Sequence, residues 1–92
     1  MRKDEINNLI AIRCGFKPPH MSTGSTESKE LFLLINSSLG LGLNTKLSKP
    51  NLARAIVEAS GLKWDPTCES SGSTVTKEGM LRVLSAVEFF KG

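Results

Sequence analysis

The segment Ser22-Thr23-Gly24-Ser25-Thr26-Glu27-Ser28-Lys29-Glu30 returns 48 residues later as Ser70-Ser71-Gly72-Ser73-Thr74-Val75-Thr76-Lys77-Glu78. Six of the nine positions are identical, and Thr23/Ser71 and Ser28/Thr76 are close in chemistry. The likeness extends both ways. Upstream, at an offset of 46, Lys3, Ile6, Ile10, Gly15 and Lys17 meet Lys49, Leu52, Ile56, Gly61 and Lys63. Downstream, at an offset of 48, Phe32, Leu33, Ile35, Ser37 and Leu39 meet Met80, Leu81, Val83, Ser85 and Val87. A two-residue insertion in the second loop reconciles the offsets. Chance matching in a chain rich in Ser and Gly is the plain alternative. The apolar flanks argue against it, because they recur in order and at helical spacing.

Each unit reads as helix, long loop, helix. The first helix covers about residues 2–14, with Ile6, Leu9, Ile10 and Arg13 on the 3.6-residue period and Gly15 as its stop. Its counterpart covers about 49–60, with Ser48 as N-cap, Pro50 in the first turn and Gly61 as stop. Leu52, Ala55, Ile56 and Ala59 form its expected apolar face. The loops, about 16–27 and 62–75, hold the Pro, Ser, Thr and Gly of turn chemistry. Ser28 and Thr76 are the natural N-caps of the second helices, whose inward positions are Phe32, Leu33, Ile35, Leu39 and Met80, Leu81, Leu84, Val87. Ile56 and Leu84 are expected in the core. No strand is expected in either half. The fold class is therefore all-α: four main helices in two tandem helix–loop–helix units, about 2–40 and 48–90, forming one domain over 1–92.

Composition agrees with that size. The chain has 92 residues, 39% hydrophobic and 23% charged, which is globular rather than disordered composition. A domain this short buries only about two-thirds of its unfolded surface, so its stability is modest. No apolar run of about 18 residues is present to span a membrane. Met1-Arg2-Lys3-Asp4-Glu5 is basic but leads into no continuous apolar stretch, so no signal peptide is expected. Two cysteines make no disulfide scaffold, and a cytoplasmic location follows as the expectation. The formal charge of +3 suits a polyanion without requiring one, and it is evenly spread along the chain.

Chemistry-bearing residues are few. Cys14, His20 and Cys68 are the soft metal ligands, fewer than the four of a structural zinc site and without a close Cys pair, so no metal and no cofactor is expected. His20 in Pro18-Pro19-His20-Met21 has no marked nucleophile beside it, and no P-loop or dinucleotide fingerprint occurs. Glu27-Ser28-Lys29 is formally an E-x-K string, but no sheet carries it and Glu27 becomes Val75 in the second copy. No catalytic residue is assigned. Phosphate contact is the remaining candidate. Gly24-Ser25-Thr26 and Gly72-Ser73-Thr74 precede helix starts, where free N–H groups and the helix dipole favour an anion, and Lys29 and Lys77 add charge. Simple capping is the competing account. With Arg54, Lys63 and Arg82 these residues form the expected DNA-binding set. Lys29, Lys77, Arg54, Lys63 and Arg82 should gather on one face if the partner is nucleic acid. Lone Trp64 is expected to cover a loop or plug the core, and Phe89-Phe90 to anchor the last helix or meet a neighbour.

Three stretches carry a resemblance: Leu47-Ser48-Lys49-Pro50-Asn51-Leu52-Ala53-Arg54-Ala55-Ile56, Gly61-Leu62-Lys63-Trp64-Asp65, and Ser70 through Thr76. They resemble a small helical segment that accompanies bacterial restriction endonucleases. Ser22 to Lys29 with Phe32 looks like the segment just upstream in such proteins. More remotely, each unit resembles a SAP-type helix–loop–helix, with a loop longer than that family's. Both resemblances imply double-stranded DNA as partner, with the rest of a parent nuclease as a second, and neither implies that this chain cleaves DNA. The alternatives are a protein-interaction or dimerisation module and an enzyme half-site completed by another domain.

Overall fold

The computed structural model describes residues 2–15, 29–70 and 74–91, with Lys3 and Ser70 described by their backbone alone. Four helices dominate: α1 (Lys3–Arg13), α2 (Lys29–Leu39), α3 (Lys49–Ala59) and α4 (Lys77–Lys91). The protein is a small all-α domain. Helix α4 is its central element, with α1, α2 and α3 all packed on it. Each half's first helix also lies on the other half's second helix: α1 on α4, α3 on α2.

The two helix stops behave as the sequence demands. Cys14 (φ −88, ψ 4) and Ser60 (φ −87, ψ −3) end α1 and α3 with the same geometry. The next residues, Gly15 and Gly61, both sit at φ +89, a backbone conformation that side-chain-bearing residues rarely adopt.

Burial recurs at most matched core positions, although Leu39 is half-buried where Val87 is buried. Ile6, Asn7, Ile10 and Ala11 of α1 are buried, and so are Leu52, Ala53, Ile56 and Val57, each 46 residues on. In the second helices, Phe32 and Ile35 are buried, as are Met80 and Val83 at the offset of 48. Leu33 and Leu81 are half-buried alike.

Three expectations need correction. The apolar stripe of α1 and α3 runs through i, i+1, i+4 and i+5, not i, i+3, i+4 and i+7. Leu9 and Ala55 are only half-buried, and Arg13 and Ala59 are exposed. Helix α1 packs mainly on α4, and α3 on α4, α2 and the second loop, so tertiary neighbours set a buried face about one residue away from the expected one. Leu84 is half-buried beside a core that takes Val83, Ala86 and Val87 instead. Small and β-branched side chains admit close neighbours on that side of α4, and Leu84 stays at the margin. Ile56 is fully buried, as expected. Ser48 stands at the N-cap of α3, yet its hydroxyl makes no capping hydrogen bond.

The second loop departs most from its expected form. A 3-10 turn covers Pro66–Cys68, followed by β1 (Glu69–Ser70) and β2 (Thr74–Val75), a two-residue antiparallel ladder pairing Glu69 with Val75 and Ser70 with Thr74. Residues 62–70 and 74–75 thus form a folded bracket, and the second half contains a strand pair where none was expected. Ser28 and the whole of the first loop, about 16–27, lie outside the described residues.

Candidate nucleic-acid interface

Of the expected DNA-binding set, Gly24, Ser25, Thr26, Gly72 and Ser73 lie outside the described residues. Thr74 is half-buried in β2. Lys29 and Lys77 are the first residues of α2 and α4, the former half-buried and the latter exposed. Arg54 is exposed on α3 and reaches Glu58 one turn on, with Nε to Oε2 at 3.3 Å. Lys63 and Arg82 are brought together, because Arg82 Nη1 donates to the Lys63 carbonyl at 2.6 Å.

That meeting point is built from mixed charge. Arg82 Nη2 also lies 2.8 Å from Asp65 Oδ2, and its Nε lies 3.4 Å from Glu78 Oε2. All three guanidinium nitrogens are therefore occupied, and the two terminal ones hold the bracket against α4. Asp65 is the hub of the bracket. Its Oδ1 accepts from the Thr67 backbone N–H at 2.9 Å and from the Thr67 hydroxyl, which caps the 3-10 turn. The Thr67 hydroxyl, then the Thr67 N–H, then Arg82 hold the Asp65 carboxyl below the usual carboxylate range. The Trp64 indole N–H donates to Glu69, which pins the ring across the bracket.

The bracket continues into the start of α4. Thr76 caps α4, accepting from the Gly79 N–H at 3.2 Å while its own hydroxyl donates to the Thr67 carbonyl at 2.6 Å. The Thr76 N–H donates to the Cys68 carbonyl at 2.9 Å. Gly79 has no room for a side chain, since a Cβ there would fall 2.3 Å from the Cys68 carbonyl oxygen and 2.6 Å from Val75 Cγ1. The closeness of α4 to the 3-10 turn depends on that glycine. Sequence reading assigned Thr76 as a cap but passed over Asp65, Thr67 and Gly79. Asp two residues before Thr, with Pro between, is a turn-capping signal, and a glycine in a helical first turn signals a close approach.

The remaining cations divide by type. Every arginine pairs with acid: Arg2 with Asp4 and Glu5, and Arg13 with Glu88 at 3.1 Å, besides Arg54 and Arg82. Lys46, Lys63, Lys77 and Lys91 are exposed and, with Lys29, make no ion pair among the described residues.

Among the described residues, no three His, Cys, Asp or Glu side chains gather to hold a metal ion. Cys14 and Cys68 are buried free thiols, and burial pushes the Cys14 thiol up. No helix of the described residues is long and apolar enough to cross a membrane. Among the described residues, the large exposed apolar side chains are Ile12, Leu62, Phe89 and Phe90. Phe89 and Phe90 meet edge to face at 5.5 Å. A shallow groove of about 300 Å³ runs over the outer face of α1 along Glu5, Asn8, Leu9 and Ile12. No protein-family profile, no curated protein and no solved structure matches the chain.

Proposed function

We propose that the chain is a non-catalytic DNA-binding module, acting in the cytoplasm as the recognition or accessory part of a restriction–modification protein. The observation that supports this reading is the division of positive charge. Lys3/Lys49, Lys17/Lys63 and Lys29/Lys77 recur at equivalent positions of the two halves. No arginine does: the matched positions of Arg2, Arg13, Arg54 and Arg82 are Ser48, Ala59, Asn8 and Leu34. All four unrepeated arginines are held by carboxylates, and two of them, Arg13 and Arg82, tie separate elements together. The repeated ones include Lys63 and Lys77, exposed and without an ion pair among the described residues. Lysine is a compact, mobile point charge, suited to phosphates and indifferent to sequence.

In this reading Lys29, Lys63 and Lys77, with Gly24, Ser25, Thr26, Gly72, Ser73 and Thr74, approach the DNA backbone. Arg54 and Arg82 join only by exchanging a carboxylate for a phosphate. The test is a fluorescence-anisotropy titration of the whole chain with labelled duplex DNA at several salt concentrations. Binding that weakens linearly with the logarithm of salt supports the reading. No binding at low salt sinks it.

The second reading, a protein-interaction or dimerisation module, is favoured by Phe89, which leaves 66% of its surface to solvent. A concentration-dependent sedimentation coefficient, abolished by Phe89→Ser, would establish it over the first.

A further inference from the structure

We draw no further inference here: the strongest candidate, the exposed Phe89–Phe90 edge at the C-terminal end of α4, is an unpartnered apolar face, and nothing in the structure shows what covers it.

Discussion

The two halves of this molecule share their helices and differ in how those helices pack on one another. Burial matches at most equivalent positions of α1 and α3, and again of α2 and α4. The stops Gly15 and Gly61 share one backbone angle. Yet α3 and α4 pack closely within their half, while α1 touches α2 only slightly and leans on α4 of the other half. Between α3 and α4 sits the bracket built on Asp65, Thr67, Thr76 and Arg82. Repeated helices therefore do not produce repeated packing. A helix face records which side is buried, and it leaves open which neighbour buries it.

The largest expected effects probe what the halves share. Ile10 and Ile56 are equivalent and both fully buried. Truncating either to Ala should cost about 2–5 kcal/mol, the usual range for a large aliphatic core residue. In a domain of this size that approaches the whole stability. Urea denaturation of Ile10→Ala and Ile56→Ala should give losses of the same order. A loss at Ile56 with none at Ile10 would show that the first half is only loosely attached. Leu84→Ala, at a half-buried position, should lose distinctly less than either.

Next comes a position the halves do not share. Gly79 stands where the first half has Leu31, and both are buried. Helix propensity alone would reward Gly79→Ala by about 1 kcal/mol. The added Cβ collides with the Cys68 carbonyl and Val75, and overpacking of this kind typically costs about 1–3 kcal/mol, occasionally more. Backbone is the obstacle here, not a flexible side-chain tip, so the collision should win. Thermal melting should place Gly79→Ala below the parent, and an unchanged or higher Tm would mean that α4 does not approach the 3-10 turn so closely.

Much of the fold was legible because it depends on local chemistry. A glycine at a helix stop and a Thr before Lys-Glu announce themselves within a few residues. The register of the buried stripe was not legible, because it depends on which neighbours cover each helix, and Leu9 and Leu84 both lie shallower than their spacing suggests. Asn7 is buried and its Oδ1 has no partner among the described residues, and no apolar periodicity selects an asparagine. The bracket was hidden for another reason. Its holding contact joins Asp65 to Arg82 across 17 residues, and spacing carries no trace of that. Of the expected interface, the sequence correctly put Lys29 and Lys77 at helix starts, but it could not show that Arg54 and Arg82 are held by carboxylates.

Acid should act on the bracket before it acts on the shared helices. Asp65 has a carboxyl lowered by Thr67 and Arg82, so its contribution is fully present above the unfolded carboxylate pKa of about 4 and is lost as pH falls through the lower folded value. Trp64 reports on the bracket directly, through its bond to Glu69. Its fluorescence should change below about pH 4, ahead of the far-ultraviolet circular dichroism that follows the helices. Asp65→Asn should already show part of that change at neutral pH. Coincident acid transitions by both probes would show that the bracket and the helices unfold together.

The smallest effect on stability, and the most direct for function, belongs to the paired lysines. Lys29 and Lys77 open α2 and α4, where a cation meets the positive end of the helix dipole and is locally unfavourable. Replacing either by Ala should leave the melting temperature nearly unchanged. If the DNA reading holds, each replacement should weaken binding to all duplexes about equally and lower the salt slope by about one unit, because a phosphate contact carries no sequence information. The pair also tests the likeness of the halves. Lys77 is exposed beside a folded bracket, whereas Lys29 is half-buried. Equal losses in the two single variants would mean that both halves meet the phosphate backbone alike. A loss confined to Lys77→Ala would make the second half the binding half and the first its support. Unchanged affinity in the double variant would assign both lysines to solvent and move attention to Phe89.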